Sequence, residues 1–482
     1  MYGGCSVYVG YMKQHTDVRG KKITVMGIGL HGGGIGAIKF LVGQGADVCA
    51  TDMRDEQALA PALKELEGLP VRFVLGRHEK ADFENADIII KNPGVPPESP
   101  WLDVARASGA RILSDLALFV ERIEGFTVGI TGTKGKSTTA SLVAHVLKTA
   151  HAPVILAGNI RRSVLDTIPE MGTDSVTVLE LSSWQLEDLG DAVWSPHVGA
   201  FLNLMPDHMN RYTTMNEYGE AKKRIFRDQK QQDIFVANWD DEYVRGITRE
   251  AHGAVRFFYT ETMPTVKNNA TYEYEGKLFS QHWGHVPIMD SADISLSGEH
   301  NIHNVIAAVA ILDAIISHPA SSIKNIDIEM LRSALRSFRP LEGRLEPAGI
   351  YKGVRYVNDT AATTPEAVTA ALRAFPEKHV VLIAGGENKN LTYGTLADEI
   401  AYRAKHAVLL EGSASLHILR RFSEINFKDV SSGFSSMDDA VAEARKFAEP
   451  GDIILLSPGA ASFNLFKHEF DRGAQFKKAA EQ

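Results

Sequence analysis

Short β-branched runs alternate with helix-forming segments along almost the whole chain, in three successive series. The first series holds "KITVMG", "ADVCATD", "VRFVLG", "ADIIIKNPG" and "ARILSD", separated by segments such as "DEQALAPALKELEG". Strand and helix in strict alternation close only as a mainly parallel sheet covered by helices. The second series repeats the pattern in "FTVGITG", "PVILAGN", "SVTVLELSS", "HVGAFLNL" and "DIFVAN". It then breaks into "ATYEYEGKLFSQHW", which reads as an antiparallel hairpin turning at Glu275-Gly276. The third runs through "VRYVND", "HVVLIAGG", "HAVLLEG" and "DIILLSP". The expected fold is therefore α/β, with three consecutive αβ domains. A Rossmann-like domain is expected over residues 21–124, a central domain with a mainly parallel sheet over 125–340, and a second Rossmann-like domain over 341–482. Residues 1–20 read as an N-terminal extension that packs loosely or not at all. A length of 482 residues fits three domains of roughly 150 each.

Composition removes several classes of function. The formal charge is −9, and no basic stripe exists to follow a phosphodiester backbone, so no nucleic-acid partner is expected. The two cysteines, Cys5 and Cys49, have no metal-ligand spacing and imply reduced thiols. The first twenty residues lack the basic start and apolar core of a signal peptide. No run approaches the roughly 18 apolar residues of a membrane helix, so membrane insertion is not expected and the location is expected to be cytoplasmic.

In the first series Gly27, Gly29 and Gly32 satisfy G-x-G-x-x-G after a strand, and Asp52 ends the next strand. That spacing serves NAD, but a glycine-rich turn at a helix N-terminus holds the diphosphate of a sugar nucleotide equally well. A tight turn without a ligand has the same sequence.

The second series carries a sharper motif. In "VGITGTKGKSTTASLVAHVL" a strand runs into a turn and then a helix, and Gly132 and Gly135 let the backbone approach phosphate oxygens closely. The stretch Gly132, Thr133, Lys134, Gly135, Lys136, Ser137 and Thr138 forms the candidate ATP loop. Lys136 would neutralise the outer phosphates and the Ser137 hydroxyl would ligate Mg2+. Ile130 stands where a strict Walker pattern has glycine, so the match is to a shorter-spaced variant.

Glu180 follows the run Val176–Leu179, and Asp207-His208 follows another strand. Ligands of open parallel sheets gather at the carboxyl ends of strands, the edge that also carries the phosphate loop. Ser137, Glu180 and His208 are therefore expected to converge on metal-bound phosphates. In "TTMNEYGEAKKRIF" a capping box, Thr214 to Glu217, starts a helix. Tyr218, Ile225 and Phe226 form its apolar stripe; Lys222 falls inside that stripe and Lys223 on the polar side. A lysine on a buried face resists protonation. It must snorkel, pair or be modified, and a neutral amine beside Mg2+ can take up carbon dioxide as a carbamate.

Together "GITGTKGKSTTA", "LELSSWQLE", "NLMPDHMNRY", "YGEAKKRIF", "SGEHNIHNVIAA", "LEGRLEP", "YVNDTAATTP", "LIAGGENKN" and "LLSPGAASFNLFKHEFDRG" resemble the Mur ligases, most of all the glutamate-adding members. The likeness spans the chain from about Lys21 to the C-terminus. It implies that the first domain binds a uridine diphosphate sugar through Leu30, His31, Asp52, Arg54 and Gly94. It implies a central domain that binds ATP, with Lys136 on the phosphates and Asn301 and Asn304 near the adenine. One Mg2+ would be held by Ser137 and Glu180, and a second by His208 and carbamylated Lys222. Asn159 would contact the muramyl nucleotide, Arg344 the ATP phosphates and Asp359 the ribose. Thr363, Lys389 and Ser462 would hold the incoming amino acid. The implied reaction joins D-glutamate to UDP-N-acetylmuramoyl-L-alanine through an acyl phosphate at the expense of ATP, in peptidoglycan precursor synthesis, and a monomer is expected.

Some positions depart from the family's usual pattern. Ala361 stands where a lysine is usual, Arg161-Arg162 replace a glycine-containing turn, Asn464 replaces an acid, and Glu469 stands where an aromatic is expected. These positions bear on which amino acid is added, leaving L-glutamate or another residue as the alternative, and a non-catalytic muramyl-nucleotide sensor as a further one. The "NPR" motif of the diamino-acid enzymes is absent. A folate polyglutamylase would not need the first domain, and an NAD oxidoreductase would not need the ATP loop.

Overall fold

The computed structural model describes residues 15–482 except 31, 161, 210, 261–268 and 285. The expectations for His31, Arg161 and most of the N-terminal extension lie outside the described residues. The chain divides into two compact units, Met1–Met289 with Val305–Ala334, and Asp290–Asn304 with Leu335–Gln482.

The first unit holds two sheets. Five parallel strands lie in the spatial order Val71–Leu75, Asp47–Asp52, Lys22–Met26, Ile88–Lys91 and Arg111–Leu113. Ile88–Lys91 is buried along its whole length, as a strand covered on both faces must be. Residues 15–20 do not hang free, contrary to the expectation for the extension. Val18 joins the core at 3% exposure, and the N–H and hydroxyl of Thr16 both donate to Glu121. Arg122 donates to the Thr16 carbonyl, so the segment is stitched down by polar bonds that composition does not reveal.

The central sheet has nine strands. Within it Phe126–Thr131 lies parallel between Val176–Glu180 and Val198–Phe201, which aligns the carboxyl ends of all three. The hairpin Ala270–Tyr274 and Lys277–Ser280 is antiparallel, and Glu275 and Gly276 take φ of 49° and 73° at its turn. That double left-handed turn matches the twist of the strands it joins. One apolar cluster runs through both sheets of this unit, from Ile35 and Phe119 to Leu165 and Leu181. Gly36 sits so close to Ser163 that a Cβ there would come within 2.2 Å of the serine side chain.

The second unit contains a six-stranded sheet, antiparallel only at the edge pair Glu346–Tyr351 and Val354–Asn358, with apolar clusters on both faces. One sequence expectation needs correction. The helix Glu299–Ser317, 19 residues long, is apolar enough by length and composition to cross a membrane, but 78% of its apolar window is buried inside the protein. Its apolar residues fill core positions, which makes it a buried core helix of the kind that passes the same test.

Candidate active site

The phosphate loop is set by its neighbours as well as by its glycines. Gly132 has φ 152°, and a Cβ there would press to 3.0 Å on the Leu202 Cβ. Gly135 is left-handed at φ 85° and caps the helix Lys136–Thr149. Asn203, which follows the strand Val198–Phe201, clamps the turn: its carbonyl accepts from Thr133 N–H at 2.9 Å and its Oδ1 from Lys134 N–H at 2.8 Å. Asn203 was not singled out by sequence reasoning; its only signal is its place two residues past that strand.

Four of the expected residues meet around this turn. Lys136 Nζ donates to the carbonyls of Gly132 and Thr133 at 3.0 and 2.9 Å. Lys222 Nζ donates to the same Gly132 carbonyl at 2.9 Å. Lys222 is only 1% exposed, lies in the helix Met215–Arg227, and rests 4.6 Å from the centre of the Tyr218 ring. Burial holds its amine well below the usual lysine range, and the Lys136 ammonium pushes it further the same way. Tyr218, Ile225 and Phe226 are buried beside it, as the stripe requires. Thr214 does cap the helix, but Glu217 reaches back to the N–H of Thr213 rather than of Thr214. Ser137 occupies the first turn of the loop helix, where backbone N–H groups face outward. Lys134 pairs with Asp207 at 3.2 Å.

Glu180 is buried at the end of its strand. Its Oε1 accepts from Asn159 Nδ2 at 3.1 Å, and its Oε2 is buried without a hydrogen-bond partner among the described residues. Asn159 thus orients the carboxylate: its N–H also bonds the Glu180 carbonyl, and a Cβ at Gly158 would come within 2.1 Å of that oxygen. His208 adopts a left-handed backbone at φ 56°. Burial keeps its imidazole below the ordinary range, the three lysines 222, 136 and 134 add to this, and Asp207 opposes it, a balance that favours the neutral ring, the form that can ligate a metal. Among the described residues no group of three or more His, Cys, Asp and Glu side chains forms a metal cage. The donor set still fits Mg2+, which takes few protein ligands and keeps water, and the unpaired Glu180 oxygen is a donor in want of a cation. Arg162 pairs with Glu170.

In the first sheet, Met26, Gly27, Gly29, Asp52, Met53, Arg54, His78, Asn92, Gly94 and Trp101 line part of a cavity of about 610 Å3. Gly27, Gly29 and Gly32 all take positive φ. Leu30 is 43% exposed beside them. Asp52 behaves differently from a ribose-binding acid. Its Oδ2 accepts from Ile28 N–H at 3.0 Å and from Arg54 Nη2 at 2.8 Å, while Oδ1 accepts from Arg54 N–H at 3.0 Å and Arg54 Nε at 3.1 Å. Gly29 N–H adds a longer bond. Two carboxylate oxygens offer about four acceptor sites, and these are taken. Burial alone would raise this carboxyl, but the Arg54 bonds hold it below its ordinary value. Asp52 therefore fixes the turn and aims Arg54, leaving nothing for a ribose diol.

In the second unit Asn301 and Asn304 lie one helical turn apart, both buried and bonded to each other at 3.0 Å. Asp359 is buried, with Oδ1 on Leu345 N–H and Oδ2 on Ser457 Oγ, and burial pushes it up to about 7 against the pull of Arg344. Ser462 is 2% exposed and Lys389 lies on the surface. Thr363 precedes the helix Pro365–Arg373. Phe470 rather than Glu469 lies against Gly343, while Glu469 lends its carbonyl to Thr360 Oγ1 at 2.6 Å.

A glycine-rich strand–turn–helix loop at a parallel-sheet edge, a buried lysine beside it and a separate five-stranded parallel sheet occur in one chain, and the family comparisons say where such a chain belongs. The Mur ligase MurD-like N-terminal domain matches residues 21–114, the Mur ligase middle domain 130–312, and the Mur ligase glutamate ligase domain 343–459. The chain belongs to the Mur ligase family. It is 41% identical over 473 residues to the UDP-N-acetylmuramoylalanine--D-glutamate ligase of Roseiflexus sp. (strain RS-1), across 96% of this chain and 99% of that one. Enzymes of the same name from Geobacter metallireducens and Clostridioides difficile are 34% and 33% identical, each across 96% of this chain and 98% of theirs. Two solved structures share the fold. The UDP-N-acetylmuramate-alanine ligase of Thermotoga maritima aligns with a TM-score of 0.61 at 21% identity, covering 95% of this chain and all of that one. The MurF ligase of the same organism, in complex with ADP, gives 0.58 at 18% identity, over 90% and 95%.

Proposed function

We propose that the protein is an ATP-dependent ligase that joins D-glutamate to UDP-N-acetylmuramoyl-L-alanine in cytoplasmic peptidoglycan precursor synthesis. The observation that carries this reading is the buried Lys222 amine sharing the Gly132 carbonyl with Lys136, at a phosphate loop flanked by Glu180 and His208. An ammonium would not sit there willingly beside a second ammonium, whereas a neutral amine can add carbon dioxide. The amine nitrogen forms the new N–C bond, one proton leaves, and a carboxylate stands where a cation would have been.

In the reaction, the alanyl carboxylate attacks the γ-phosphorus of ATP and ADP departs, leaving an acyl phosphate. The glutamate amine adds to the acyl carbon, and the tetrahedral adduct expels phosphate to give the amide. Carboxylate and triphosphate repel each other, so the first step needs positive charge between them. Lys136 supplies part of it by turning from its loop carbonyls to the phosphates. Ser137 and Glu180 would hold one Mg2+, and His208 with carbamylated Lys222 the other. Bound Mg2+ supplies the remaining charge screening. The Glu180 oxygen without a partner among the described residues and the lowered His208 imidazole support these assignments.

Leu30, His31, Arg54 and Gly94 would receive the uridine diphosphate, with Asp52 holding Arg54 in place, and Asn159 would meet the muramyl moiety while steadying Glu180. Asn301 and Asn304 would face the adenine, Arg344 the phosphates and Asp359 the ribose. Thr363, Lys389 and Ser462 would hold glutamate. The D-glutamate assignment is supported by the D-glutamate ligases that match 96% of the chain. Ala361, Asn464 and Glu469 favour testing L-glutamate beside it. The test is ATP-dependent phosphate release with UDP-N-acetylmuramoyl-L-alanine and each glutamate enantiomer. Turnover with D-glutamate alone is expected. Equal or faster turnover with L-glutamate overturns the stereochemistry, and none with either overturns the glutamate assignment, leaving another amino acid or a nucleotide sensor.

A further inference from the structure

We propose that Arg211 is a positioning residue that ties the nucleotide turn of the first domain to the His208 imidazole, so that filling the one steadies the other. The proposal rests on the functional reading above.

Arg211 Nη1 donates to the Pro93 carbonyl at 3.2 Å, in the turn between Asn92 and Gly94 that lines the first-domain cavity. That turn is packed hard against the glycine-rich loop: a Cβ at Gly27 would fall 2.9 Å from the Asn92 Cβ. A diphosphate seated on the loop therefore bears on the same few atoms that hold Arg211. The guanidinium then lies over the Trp184 ring at 4.8 Å, and Trp184 packs against the His208 ring at 5.1 Å.

Trp184 is placed by these two neighbours together with the apolar cluster of Tyr212, Tyr218 and Ala221. Its indole N–H is buried and has no hydrogen-bond partner among the described residues, so ring contacts rather than a polar anchor set its place. His208 needs support as well, because a non-glycine residue at φ 56° is held only by what surrounds it. The N–H groups of Arg211 and Tyr212 both close on the His208 carbonyl, at 2.9 and 3.1 Å. One residue thus fixes the histidine backbone through its N–H and the histidine ring through the tryptophan. Its ion pair with Glu187 at 2.8 Å aims the guanidinium, and the Glu187 side chain is too exposed for the pair to matter much by itself. Lysine cannot replace this arrangement, since it has neither the planar face nor the fork that reaches two acceptors.

The experiment uses the full-length protein with UDP, which lacks the lactyl-alanyl arm and so reports only on the turn. Mn2+ affinity is measured by electron paramagnetic resonance with saturating ADP, with and without saturating UDP. In the wild type, UDP is expected to tighten Mn2+ at least fivefold, the lower end of ordinary coupling. In Arg211→Met, and equally in Arg211→Lys, the effect should fall below twofold. Both should melt at the wild-type temperature, because Met and Lys keep an aliphatic stem on Trp184. Turnover should drop more than tenfold in kcat with KM for glutamate unchanged, a split that loss of folded protein would not give. Wild-type coupling retained in Arg211→Met, or no coupling in the wild type, overturns the proposal. Failure of the wild type to bind UDP at all overturns the functional reading instead, and the proposal with it.

Discussion

The buried pair of Lys91 and Asp188 joins the first domain to the central one, and its removal has a size that can be worked out. The ion pair is 2.7 Å long, with side chains 6% and 9% exposed. Burial raises the Asp188 carboxyl from 3.8 to about 6, even though Lys91 pulls it down. Two pH units correspond to about 3 kcal/mol, so desolvation outweighs the attraction of the lysine. Lys91→Met leaves that carboxylate alone in the interior and should cost about 3–5 kcal/mol at pH 7. Lys91→Met with Asp188→Leu removes both charges and should return to within about 1 kcal/mol of wild type or exceed it. Urea unfolding of the four proteins at pH 7 measures the cycle. The pH dependence gives an independent check. A carboxyl whose folded value is raised stabilises fully below its unfolded value and loses that contribution as pH climbs through about 6. Wild type should therefore gain about 1 kcal/mol on Asp188→Asn between pH 7 and pH 5. A single variant as stable as wild type, or a pH difference of the opposite sign, refutes the reasoning.

Lys222→Ala should lose more than 100-fold in turnover and recover part of it with millimolar acetate or propionate, which stand in for the carbamate; a variant turning over at the wild-type rate rules the carbamate out. UDP should compete with the muramyl nucleotide while NAD does not, and Asp52→Asn should weaken UDP binding by about tenfold, or ~1.4 kcal/mol, by releasing Arg54 and the glycine turn; calorimetry showing unchanged affinity would leave Asp52 without its structural role. Asp313 is buried, bonded to Thr271 and Ser280, has one oxygen without a partner, and is pushed by burial up to about 7. Its contribution to stability is lost as pH rises through 7, so Asp313→Asn should flatten the decline of the urea midpoint between pH 6 and 8; an unaltered decline counts against this.

How far the site was legible depends on how local each cause is. The phosphate loop could be read because strand, turn and helix are consecutive, and a turn needing Gly132 and Gly135 announces its own backbone. Lys222 could be read because helix periodicity fixes which face a residue takes, and its stripe, Tyr218, Ile225 and Phe226, lies within eight residues. Glu180 and His208 were picked out by a rule about strand ends, and Phe126–Thr131 lies between the two strands that precede them. Asp52 was legible as a strand-end acid, but its bonds to Arg54, two residues on, and to a backbone N–H 24 residues back were not. No spacing rule distinguishes a carboxylate that is free from one already satisfied. The roles of Trp184 and Arg211 left no such local signal, and Asn203 only its place after a strand. The Arg211 bond to Pro93 spans 118 residues, and a contact of that range exists only once two domains have closed on a common core. Sequence periodicity reports which face a residue takes within its own element. The residues that align one element with another owe their place to the packing between elements, and here they are the ones that hold the His208 loop against the turn at Asn92–Gly94.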